Sequence, residues 1–127
     1  MPEADDNKVV PKVRKPPTET ERKSARLAAV AKESDDERSK RRSDEFQALF
    51  DVHMQNIALS HAKYPVRNVK FDKLTAEEQK LWNERRIDID MHNRLYHNAV
   101  KQTYASHVEE DQHINKLRAA AAKSVTA

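Results

Sequence analysis

A chain of 127 residues without a single glycine has few ways to turn tightly. Glycine supplies the positive-φ positions of two-residue hairpins, bulges and many helix C-caps. Average usage would place about nine of them in a chain of this length. Sandwiches and barrels built on many tight turns are therefore not expected, and long helices with few connections are. The same absence removes the phosphate-cradling loop, the dinucleotide fingerprint and the serine nucleophile elbow, all of which need glycine. Cysteine is also missing, which excludes disulfides, thiolate zinc sites and cysteine nucleophiles.

The apolar residues say where a core can form. Of the 31 Val, Ile, Leu, Met, Phe, Trp and Tyr, 24 lie between Phe46 and Leu117. Charged residues make up 35% of the chain, and its net charge is only +3. Val, Ile, Leu and Phe together form less than a fifth of it, close to the disordered regime. The expectation is one domain at most, a modest helical core with solvated arms. No apolar run approaches 18 residues, so no membrane span is expected. The segment "MPEADDNK" is acidic and lacks the apolar stretch of a secretory signal. A soluble intracellular protein, or a component of a virus or phage particle, is the reading that follows.

Residues 1–17 carry Pro2, Pro11, Pro16 and Pro17, four of the five prolines, and read as an extended arm. Thr18 with Glu21 forms a capping-box pattern that opens a charged, solvated helix or linker over 18–42. From Thr18 to Glu45 there are eight acidic and eight basic residues, with Leu27 and Val30 the only large apolar ones. Ser34 with Glu37, and Ser43 ahead of Asp44 and Glu45, are alternative starts for the next helix. Phe46, Leu49, Phe50, His53, Met54, Ile57, Ala58 and His61 then fall on one 3.6-residue stripe.

Pro65 stops that helix, and "PVRNVKFDKL" forms a corner with room for a short extended stretch. Thr75 with Glu78 caps a second helix that nothing interrupts from Ala76 to about Ala122. The pattern over 43–122 is thus a helical hairpin: a short helix, a proline-containing corner and a long helix, followed by a tail at 123–127. Phe46, Leu49, Phe50, Met54 and Ile57 are expected to anchor on Leu81, Trp82, Ile89, Leu95 and Tyr96. Ile87, Met91 and Val108 fall off that face, so the long helix should touch neighbours on two sides. Its distal half should project without cover from this chain.

Chemistry-bearing constellations are sparse. Asp88 with His92, Glu109 with His113 and Glu110 with His113 have helical spacing. A di-iron bundle needs two Glu-x-x-His motifs plus two further carboxylates, and zinc needs three or four convergent ligands, so neither a metal nor a cofactor is expected. Asp88 and Asp90 point to different faces, and two helices enclose no pocket unaided, so no enzyme is expected. Three basic clusters suit phosphates: Lys12, Arg14 and Lys15; Lys40, Arg41 and Arg42; and Arg67, Lys70 and Lys73 beside Phe71 and Tyr64. "FQALF" and "LTAEEQKLW" resemble the first and third helices of an HMG box. That family places a whole helix between them, where only nine residues separate Pro65 from Thr75, so nothing is carried over.

Two functions emerge as expectations. The first is a non-catalytic structural subunit of a larger assembly, docking on protein subunits through Trp82, Ile89, Tyr96, Tyr104, Ile114 and Leu117. The alternative is a nucleic-acid-associated protein, a ribonucleoprotein or chromatin component, meeting RNA or DNA through the three basic clusters. Self-association through the long helix is a further option.

Overall fold

The computed structural model describes residues 15–126, which form three helices and no strand. Helix α1 spans Glu19–Ala31, α2 spans Asp35–Lys63 and α3 spans Ala76–Thr126. At 1.5 Å per residue, the 51 residues of α3 extend over roughly 76 Å.

Each helix starts where its capping side chain stands. Thr18 Oγ1 accepts from the Glu21 amide at 3.1 Å. Ser34 and Glu37 make a reciprocal capping box, and α2 therefore opens at the first of its two candidate starts. Ser43 lies well inside α2, and the segment 18–42 divides into α1, a three-residue turn and the first two turns of α2. Thr75 and Glu78 repeat the box at the start of α3, with both bonds at 3.2 Å. These caps satisfy amides that have no partner within the helix. α2 ends at Lys63, just before the residue that precedes Pro65.

The corner is fastened by local contacts. It holds a 3-10 turn at Phe71–Lys73, and no strand forms there. The turn delivers Leu74 into the interior, where it is buried, and sets the Phe71 ring edge-on to Trp82 at 5.0 Å. Arg67 donates to both carboxylate oxygens of Glu78 at 2.7 Å. That fork, with the Thr75 amide bond behind it, draws the Glu78 carboxyl from 4.5 down to about 2.

α2 folds back along α3 in antiparallel register. Asp35 meets Arg118, Arg41 meets Glu110, Glu45 meets His107, Phe46 meets Tyr104 and Ser60 meets Asp88. Because α2 begins at Asp35, this pairing reaches far beyond the first half of the long helix. α1 then packs on the distal part of α3, where Val30 and Ile114 are both buried. The expectation that the distal half of α3 projects uncovered is therefore corrected. The sequence contrast between the charged and apolar segments concealed this, because the distal contact is largely ionic.

Candidate functional site

The distal contact is centred on one carboxylate. Glu110 is 1% exposed, and three arginines converge on it. Arg41 Nη2 donates at 2.7 Å and Arg42 Nη2 at 3.1 Å, while Arg26 Nη1 stands at 3.5 Å. α1 adds Lys23 to Glu109 at 2.9 Å, and Arg26 also bonds Ser106 and Glu109. Arg41 further holds Glu33 and Glu45, and the Glu33 bond is the main reason its guanidinium is pushed upward. Burial raises the Glu45 carboxyl, but bonds from His107 and Arg41 outweigh it and hold the group below its usual range. Glu109 is drawn down chiefly by Lys23, and Asp111 by Arg42. All three helices are thus joined through these charges, although Arg42 Nε is buried there without a hydrogen-bond partner.

This arrangement bears on the nucleic-acid candidates. Lys12 and Arg14 lie outside the described residues, and Lys15 is exposed ahead of Thr18. Lys40 is paired with Asp44, while Arg41 and Arg42 turn inward onto acids of α3. Arg67 is spent on Glu78. Of these candidates only Lys70 and Lys73 at the corner, with Lys15, stay exposed and without an ion pair among the described residues. Phe71 is turned onto Trp82, and Lys63 lies over the Tyr64 ring at 5.3 Å. Arg41 and Arg42 are therefore not a free patch, because both are held on the buried Glu110, whereas Lys40 stays exposed beside the exposed Asp44.

The protein-docking candidates divide as well. Trp82 and Ile89 are half-buried and border a cleft with His61, Arg85 and Arg86. Tyr96 is half-buried, stacked on His53 at 4.4 Å and edge-on to Phe50 at 6.5 Å. Tyr104 is exposed although its ring lies 4.7 Å from Phe46. Ile114 is buried and offers a partner nothing, a correction with a simple cause: α1 and the start of α2 lie over it. Leu117 remains 46% exposed at the edge of that contact.

The hairpin seam itself is thinner than the stripe implies. Phe50, Met54 and Leu95, expected as anchors, are 45%, 49% and 57% exposed. Two helices share one seam only, so residues at its margins keep an open side. One margin carries several exposed apolar side chains, with Glu84 and Asp88 beside Ile87 and Met91. Val52 and Leu59 of α2 and Ile87, Met91 and Leu95 of α3 are all exposed there. Val52 and Leu59 lie off the 3.6-residue stripe and escaped the sequence reading. The signal that finds them is charge: from Phe46 to Ala62, Asp51 is the only formally charged residue. In a chain so rich in charge, a helix left uncharged around its circumference is one that expects cover.

The floor of this flank is polar in places. Ser60 donates to Asp88 at 2.5 Å, and His92 Nε2 stands 3.6 Å from the same carboxylate. The Nδ1 atoms of His53 and His92 are buried without a hydrogen-bond partner. Among the described residues no group of three or more His, Asp or Glu is placed to hold a metal, and no helix is long and apolar enough to cross a membrane. Comparison with protein-family models, with curated proteins and with solved structures finds no match.

Proposed function

We propose that this chain is a non-catalytic structural subunit that docks on other proteins through the apolar flank of its hairpin. The observation that carries the reading is an imbalance. Among the described residues, three large apolar side chains are buried, whereas thirteen are exposed. Single exposed apolar residues need no explanation, but a contiguous set on adjoining helices marks an interaction surface. Each half-exposed side chain, once covered, contributes about 1 kcal/mol, enough in sum for a specific complex. Aromatic anchoring at the corner by Trp82, as the sequence suggested, stays part of the reading.

The test compares immobilised full-length chain with its Leu59→Glu and Met91→Glu variants in native extract. A co-purifying protein in near-stoichiometric amount, retained at high salt and lost with either variant while helix content is unchanged, is the expected result. Equal capture by all three chains, or none by any, overturns the reading. Nucleic-acid association is the second reading, resting on Lys15, Lys70 and Lys73, which have no ion pair among the described residues. It predicts binding that falls by orders of magnitude as salt rises, whereas apolar docking barely responds.

A further inference from the structure

The docking reading leaves open what lies on the flank while no partner is there, and the start of α1 points to an answer. Lys23 meets Glu109 and Ala31 lies beside Leu117 and Ala121, so α1 runs in the same direction as α3. At about 1.5 Å per residue, Thr18 then stands close to the level of Ser106. Ser106, which Arg26 bonds, is also where an open groove begins. A cavity of about 390 Å³ at Ser106, Thr103 and Leu49 leads into one of about 230 Å³ at Leu49, Val52 and Leu95. A third, of about 220 Å³, follows at Ile87 and Met91. Among the described residues no lysine or arginine borders any of the three, whereas Glu45, Glu84 and Asp88 do. Glu45 is already met by Arg41 and His107. Asp88 meets Ser60 and His92, and Glu84 has no ion pair among the described residues.

The chain ahead of α1 has the matching chemistry. From Lys8 to Pro17 it carries four cations, three valines and three prolines, and no acid. Prolines favour a polyproline-II run, with about three residues per turn and about 3.1 Å per residue. In that form Val10, Val13 and Pro16 share one side, while Lys12 with Lys15 and Lys8 with Arg14 take the other two. Counted back from Thr18, Val13 reaches about 16 Å, level with Leu95, and Val10 about 25 Å, near Met91. Lys8 reaches about 31 Å, near Glu84. We infer that residues 8–15 of this chain lie in the groove when no partner is bound, valines inward and Lys8 toward Glu84 and Asp88, so that a partner protein must displace them. Grooves with an aromatic wall recognise polyproline-II segments in this way, and Tyr96 supplies such a wall here. A tethered segment stands at an effective concentration of about 1 mM. A contact as weak as about 0.1 mM then fills the groove about nine-tenths of the time. A second hairpin laid flank to flank would instead bring acids against acids.

This inference rests on the docking reading, and its test needs no partner, so the two can fail separately. The chain has no cysteine, so Asn7→Cys in the full chain takes a single nitroxide label. The label is expected to broaden the amide signals from Glu84 to Met91 strongly and those from Ile114 to Leu117 hardly at all. Adding Lys8→Glu, Lys12→Glu and Arg14→Glu should abolish that selective broadening. The same triple variant, without the label, should bind the neutral apolar dye Nile red about tenfold more tightly than the native chain, because a groove filled nine-tenths of the time lowers apparent affinity by that factor. Broadening spread evenly over the helices overturns the inference, as does selective broadening that survives the triple variant. Equal dye binding by the two chains overturns it as well. So does broadening of an isotope-enriched, unlabelled chain mixed with a nitroxide-labelled one, which makes the arm of a second copy the occupant. The extract experiment judges docking independently of all four.

Discussion

Between residues 106 and 118, α3 lies against both α1 and the start of α2; between 82 and 99 it meets, among the described residues, α2 and the corner. The distal contact is made from few apolar groups and many charges, with Val30 and Ile114 buried beside Glu110 and its three arginines. The proximal contact is the reverse. Rings stack along the seam at Phe50, His53 and Tyr96, and apolar side chains spill onto both margins. The lesson concerns what each kind of surface is for. Charges that find partners within the chain close an interface, since desolvating them demands complete pairing. Apolar side chains left at a margin lose nothing by waiting for a partner, and they lower the free energy of whatever covers them.

The sharpest way to break this comparison is to open the ionic centre. Glu110→Ala removes the buried acid shared by Arg26, Arg41 and Arg42, which keep Glu109, Glu33 with Glu45, and Asp111 as partners. It should cost about 2–3 kcal/mol in urea unfolding, the worth of the lost charge-assisted hydrogen bonds. A loss under 1 kcal/mol would mean that the distal half is held by something other than its charges. Val30→Ala removes the main apolar group of α1 and should cost about 1–2 kcal/mol. Hydrogen exchange should place that loss in α1 and the distal turns of α3, leaving the corner protected.

Acid should act on the paired carboxyls in a definite direction. The Glu45, Glu109 and Asp111 carboxyls lie below their ordinary values in the folded chain, so they stabilise it above the unfolded pKa, near 4. That contribution disappears as pH falls through the lowered folded values, and distal helix content should decline below about pH 4. At the corner, Glu78 should titrate near 2 by NMR and move toward 4.5 in Arg67→Ala. A Glu78 midpoint unmoved by that substitution would show that the fork does not hold it. The smallest effect belongs to the open flank. Leu59→Gln alters a side chain that is 66% exposed and should change the stability of the isolated chain by no more than about 0.5 kcal/mol. If instead it matched Val30→Ala, the flank would already be covered within the chain.

How much of this was legible in the sequence depends on the reach of each interaction. The caps at Thr18, Ser34 and Thr75 act over three residues, and the string Ser-x-x-Glu or Thr-x-x-Glu announces them. Pro65 and the stripe from Phe46 to His61 are equally local. The docking of α1 was hidden, because a segment with two large apolar residues reads as solvated, and the acid that receives Arg26 lies 84 positions away. The basic run at 40–42 looked like a free patch for the same reason. Exposure at the seam margins was hidden too, since periodicity names a face but not how far each residue sits from its centre. Val52 and Leu59 could have been found by scanning for missing charge instead of for apolar period.

What the sequence determined alone is therefore the helical class, the caps at Thr18 and Thr75 and the position of the one sharp corner, while the choice between Ser34 and Ser43 was left to the structure. Those follow from backbone geometry and from hydrogen bonds that close within a single turn. Tertiary structure decided which charges face inward, which apolar margins stay open and how far α2 and α1 cover the long helix. Such outcomes depend on pairing groups dozens of residues apart, where the register of one helix on another sets every distance at once.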